Sequence, residues 1–155
     1  MQTLSCLVTI AAILLPGLAA QTKPDFSGTW KLDLLRSRMD EASAPKSVTM
    51  TIEHQEPKIK IGVTTVTDKG ESTYTFDLST KGTEVKQTLD GHPCAASVKW
   101  DDGESLVFLL NRETADGPVT SARRLKLGSE KMLSTVQTLK TKAGESKSYE
   151  FYEKQ

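Results

Sequence analysis

The side chains best suited to chemistry are few: the chain has two histidines and two cysteines. His54 stands beside Glu53 and Glu56 at a Glu56-Pro57 turn, and His92 follows Asp90-Gly91. A protein metal site needs ligands at short repeated spacings, such as His-x-x-x-His or Cys-x-x-Cys, and the sequence contains none. Both histidines read as solvated turn residues. Cys94 lies among Ala95, Ala96 and Val98 and reads as a small buried hydrophobe. A nucleophilic serine would sit in a Gly-x-Ser-x-Gly elbow, which is absent. No glycine-rich phosphate loop is followed by Lys-Ser or Lys-Thr. The acid pair Asp101-Asp102 falls at a turn, where water solvates it. The run Arg123-Arg124-Leu125-Lys126 splits its charges across two faces of a strand. With 20 basic and 20 acidic residues, no net field favours nucleic acid. Catalysis, metals, cofactors and nucleic acid are therefore not expected.

One charged side chain does not fit a solvated surface. Val119, Ser121, Arg123, Leu125 and Leu127 alternate onto one side of an extended segment, which places Arg123 on an apolar face. A charge there needs a partner. The candidates are the ring of Trp30, the carboxylate of Glu150 or an anionic ligand. A partner within the protein is favoured, which predicts a neutral or weakly polar apolar ligand over a free fatty acid. The final segment is ambiguous, because Tyr149 and Phe151 make the apolar face by pattern.

The elements that position these residues are strands. Turn signals recur at Glu56-Pro57, Lys69-Gly70, Lys81-Gly82, Asp90-Gly91, Asp102-Gly103, Asp116-Gly117, Gly128-Ser129 and Ala143-Gly144. Asp-Gly is a strong hairpin signal because both residues tolerate positive φ. Between turns, Val48, Met50 and Ile52 alternate with polar residues, as do Tyr74, Phe76 and Leu78. The alternation slips at Thr64-Thr65, which predicts a bulge. Leu106–Leu110 is apolar on both faces and reads as the most central strand. Only residues 34–44 look helical, so at most one short helix is expected there. The prediction is an all-β fold: an antiparallel up-and-down meander of eight to ten strands closed into a barrel, with a two-sheet sandwich as the alternative.

Residues 1–20 read as a secretory signal peptide, with an apolar stretch from Leu7 to Leu15, the helix breakers Pro16-Gly17 and small residues after them. Cleavage after Ala19 or Ala20 would remove Cys6 and leave Cys94 without an internal disulfide partner. Residues 21–155 then form one exported domain, periplasmic or extracellular, monomeric and not stably inserted in a membrane.

The segment Phe26-Ser27-Gly28-Thr29-Trp30-Lys31-Leu32 opens this domain, and Tyr152-Glu153-Lys154 closes it. Thr88-Leu89-Asp90-Gly91 and Lys99-Trp100-Asp101-Asp102-Gly103 lie between. With the strand count, these motifs resemble the calycin superfamily, the lipocalins and intracellular fatty-acid-binding proteins, in a small exported bacterial-type form. Three features depart from the fatty-acid-binding pattern. Ser37, Arg38 and Met39 replace its Asn-Phe-Asp, and Trp30 to Val48 is too short for a two-helix lid. Glu150 replaces the arginine of its closing Arg-x-Tyr motif, where it would repel a carboxylate ligand.

The resemblance implies that Trp30 packs at a closed barrel end, beneath an arginine from a late strand, Arg123 or Arg124. It also implies that Glu150 and Tyr152 turn inward. Arg123, Trp100 and Tyr152 are the candidate ligand-binding residues, and Trp30 and Gly28 the structural ones. The expected function is binding of a small, mainly apolar molecule inside the barrel. The alternative is a filled barrel acting as a structural or protein-binding, inhibitor-like module.

Overall fold

A computed structural model describes residues 22–40, 44–129 and 131–155. The expected signal peptide lies outside the described residues. Ten strands follow in order: β1 (Gly28–Leu32), β2 (Ser47–Gln55), β3 (Lys58–Thr67), β4 (Gly70–Ser79), β5 (Val85–Leu89), β6 (His92–Trp100), β7 (Ser105–Thr114), β8 (Gly117–Leu127), β9 (Met132–Thr141) and β10 (Gly144–Lys154). They form one antiparallel sheet in the order β4-β3-β2-β1-β10-β9-β8-β7-β6-β5. Consecutive strands pair with each other except β4 and β5, which end the order, and β10 closes back onto β1 through Trp30↔Lys154 and Leu32↔Tyr152. The sheet curls until β4 faces β5. No ladder joins these two among the described residues, but Gln87 Nε2 donates to the Thr75 carbonyl at 3.2 Å, and the Gly82 amide in the link between them donates to the Val98 carbonyl of β6 at 2.9 Å. The result is a nearly closed barrel, as the regular hairpin signals predict.

Two local expectations need correction, while that of at most one short helix at 34–44 stands: the described residues there form none. Asp33 instead caps a single turn, its Oδ1 accepting the amides of Leu35 at 2.9 Å and Arg36 at 3.2 Å. The chain then returns to β10, where Arg38 bridges Tyr149 through two backbone hydrogen bonds. Pairing with the sheet satisfies more backbone there than a short isolated helix would. The bulge at Thr64-Thr65 is also absent. β3 pairs without interruption with β2 and β4, and the Thr64 and Thr73 hydroxyls meet on the outside at 2.9 Å. Thr65 therefore points inward: the apparent slip is polar residues on the inner face, not a shift of register. Finally, β7 is not central. β9 and β10 hold the middle of the sheet order, and Val107 and Leu109 are half-buried on the barrel's outside.

The inward side chains make one core that includes Phe26, Trp30, Met50, Ile61, Phe76, Phe108 and Leu133. Gly28 adopts φ +146°, and a Cβ there would press on the Lys154 side chain, so glycine suits both its backbone and its neighbour.

Candidate ligand chamber

Inward alternation on β8, β9 and β10 brings Arg123, Gln137, Glu150 and Tyr152 together halfway along the barrel. The register sets Arg123 opposite Gln137 and Glu150 opposite Thr135. Arg123 is 9% exposed and Glu150 is 5% exposed. Arg123 Nη2 donates to Gln137 Oε1 at 2.7 Å and lies 3.5 Å from Glu150 Oε2. The same carboxylate accepts the Tyr152 hydroxyl at 2.7 Å, Thr135 Oγ1 at 3.1 Å and Ser148 Oγ at 3.0 Å. A buried ion pair is tolerable only when such extra hydrogen bonds offset its desolvation. Glu150 and Tyr152 thus face inward, and Tyr149 is exposed. The apolar pattern of Tyr149 and Phe151 misleads because the inner partner of this strand is a charge.

Burial acts to lower the pKa of Arg123, but Tyr152, Glu150 and Tyr74 beside it hold it above the ordinary arginine value. Burial pushes the Tyr152 hydroxyl well above the usual tyrosine range, and nearby Glu150 reinforces this against the opposing pull of Arg123. At neutral pH Arg123 is therefore a cation and Tyr152 a protonated phenol. Arg123 Nε is buried without a hydrogen-bond partner among the described residues.

Above this cluster the barrel is hollow. A cavity of about 230 Å³ is lined by Thr65, Tyr74, Leu110, Ser121, Gln137 and Leu139, among others. Gln137 joins cavity and cluster, since its Nε2 donates to Ser121 Oγ at 3.0 Å while its oxygen holds Arg123. Arg123 itself is not part of the chamber wall.

Below the cluster the barrel is closed by a second assembly. Trp30 Nε1 donates to the Phe26 carbonyl at 3.0 Å. The Phe26 ring packs 6.0 Å from Trp100 and 6.1 Å from His54. The His54 side chain is only 3% exposed, so it is not the solvated turn residue that its charged neighbours suggest. Its Nδ1 accepts the Phe26 amide at 3.3 Å, which assigns the proton to Nε2, 3.1 Å from Glu56 Oε1. The Trp100 indole donates to that oxygen at 2.7 Å. Burial favours a protonated Glu56, but the donors Trp100, His54 and Thr80, with Lys23 nearby, hold its pKa below the usual value.

Of the expected site residues, Arg123 and Tyr152 meet through Glu150. Trp100 does not join them, because it belongs to the floor. The expected arginine over Trp30 is also replaced: Lys154 Nζ lies 5.3 Å from the Trp30 ring centre. Arg124 points outward and pairs with Asp101 at 3.0 Å and Asp102 at 2.7 Å. Sequence reading missed Tyr74, Ser121, Thr135 and Gln137. Their signal was present as polar residues at inward positions of otherwise apolar strands.

A ten-stranded antiparallel meander with the first strand closed by the last, Trp30 buried at its floor and a cavity above has the barrel fold seen in fatty-acid-binding-protein-like calycins. No protein-family model and no curated protein matches the chain in sequence. Among solved structures it is similar to human cRBP IV, with a TM-score of 0.56 and 17% identity over 85% of this chain and 99% of that one. It is also similar to zebrafish ileal bile acid-binding protein complexed with cholic acid, with a TM-score of 0.51 and 14% identity over 84% of this chain and 98% of that one.

Proposed function

We propose that this barrel binds a small, mainly apolar molecule in the upper chamber and catalyses no reaction. The observation that carries this reading is a cavity of about 230 Å³ above a charge pair that the protein already neutralises. Binding pockets combine apolar walls with a few fixed polar groups. Leu110 and Leu139 supply the first here, and Ser121, Gln137 and Tyr74 the second. The Glu150 carboxylate cancels the Arg123 cation, so the buried end of the ligand is uncharged. The neighbours named for bile acid binding and as cRBP IV support the same direction. The chamber has no histidine on its wall to move a proton.

Titration with a fluorescent fatty-acid methyl ester tests the reading. Saturable binding that Ser121→Trp removes, with the fold retained, is the expected result. Absence of saturable binding contradicts it and leaves the filled barrel acting through its surface.

Export belongs to the same proposal and rests on residues 1–20. The mature chain would begin at Ala20 or Gln21 and act as a periplasmic or extracellular monomer. N-terminal sequencing of exported protein that finds Met1 retained would overturn the export reading.

A further inference from the structure

Arg112 stands on the inward side of β7, two positions beyond Leu110, with Cys94 and Val119 as its partners in the ladders. It lines the chamber near the hairpin ends of the strands, well past the level of Arg123. Unlike Arg123, it has no carboxylate within ion-pair distance among the described residues. The other charge on the chamber wall is Asp90, in the β5–β6 turn, and the remaining titratable group is the Tyr74 hydroxyl. The inner side of the barrel thus has two cations at two depths, one beneath the chamber and one on its wall. The deep one is neutralised by Glu150 and screened from the cavity by Gln137, and the shallow one has no ion-pair partner among the described residues.

Size fixes which cation a ligand meets. At ~30 Å³ per water-sized atom, the cavity of about 230 Å³ holds roughly eight heavy atoms. A chain of that length fills it, and anything attached to the outer end lies beside Arg112. We propose that the ligand is an amphipathic anion bound tail first, its uncharged tail resting on Tyr74 and Gln137 and its carboxylate or similar head held at the mouth by Arg112. A guanidinium is suited to this role because its fork matches a carboxylate in two hydrogen bonds and stays charged. Asp90 repels a head group displaced toward β5 and so favours the Arg112 side. The neutrality read from the sequence then applies to the buried end of the ligand alone. This inference rests on the reading that the chamber binds an apolar molecule.

Calorimetric titration with octanoate and 1-octanol, each below its aggregation limit, separates the two claims. Octanoate is expected to bind about tenfold more tightly than octanol. Arg112→Gln should erase that margin and leave octanol binding unchanged. Arg112→Lys should keep part of the margin, and the double variant Arg123→Gln/Glu150→Gln should keep all of it. If octanol binds but the margin is absent, survives Arg112→Gln or vanishes in the double variant, the head-out orientation is wrong and the chamber reading stands. If neither compound binds, the chamber reading fails and this proposal fails with it.

Discussion

At the floor of the barrel, inward positions hold Trp30, Ile52, Ile59, Leu106 and Leu125, all buried, with Phe26 beneath them. At the mouth, the same alternation, continued along β3, β7 and β8 and shared by β4 and β9, presents Thr65, Ser72, Leu110, Ser121 and Gln137 around a cavity. The two ends share register and strand number, so their difference lies in side-chain volume and polarity. The floor holds large apolar residues and the hydrogen-bonded His54–Glu56–Trp100 group. The mouth holds small polar residues that leave space. Between them lies the Arg123–Glu150 pair, whose two buried charges offset each other. The comparison separates two roles along one axis: the floor carries stability and the mouth carries binding.

The largest expected effect is at the floor. Trp30→Ala should cost about 3–5 kcal/mol in denaturant unfolding, the usual range for losing a buried aromatic. A cost below about 1 kcal/mol would remove Trp30 from the core and erase the contrast. Next comes the middle. Arg123→Gln strands the Glu150 carboxylate in the interior and should cost about 3 kcal/mol, because breaking one half of a buried pair is worse than removing both. Adding Glu150→Gln should recover more than half of that loss. No such rescue is expected at the floor, where the lost quantity is packing rather than charge balance.

The two regions also differ in pH response. The Tyr152 pKa is raised in the folded state by burial, so the folded protein keeps a proton that the unfolded chain loses above pH 10.0. Its contribution is complete below that pH and declines as pH rises above it. The Glu56 pKa is lowered by its hydrogen-bond donors, so its contribution is present above pH 4.5 and declines as pH falls below it. Alkali therefore weakens the middle and acid weakens the floor. Unfolding curves at a series of pH values check both, and Tyr152→Phe should flatten the alkaline slope while leaving the acid limb unchanged. The smallest stability effect belongs to the mouth. Leu139→Ala should cost about 1 kcal/mol or less, since its site is only half-buried, yet should weaken ligand binding measurably.

Much of this division could be read from the chain. Glycine turns at regular spacing and the Phe26–Leu32 motif gave the barrel and its buried tryptophan, because both are local signals. Arg123 was legible as an inward charge for the same reason: alternation is local. Its partner was legible only as one of three candidates, since Glu150 lies two strands away and the apolar pattern of Tyr149 and Phe151 competed with the resemblance that turns Glu150 inward. His54 was misread because its cover, Phe26 and Trp100, comes from distant sequence, while its immediate neighbours are acidic. The cation over Trp30 was expected from an arginine of a late strand. The final residues of β10 bring Lys154 there instead, through the pairing that closes the barrel.

The separation of roles is tested most directly by mapping backbone amide shifts while methyl octanoate is titrated into the folded protein. The expected perturbations fall on Leu110, Ser121, Gln137 and Leu139, with His54, Trp100 and the Trp30 indole unmoved. Shifts centred on the floor residues, or confined to the outer face of the barrel around Met132 and Phe151, would contradict the assignment of binding to the mouth.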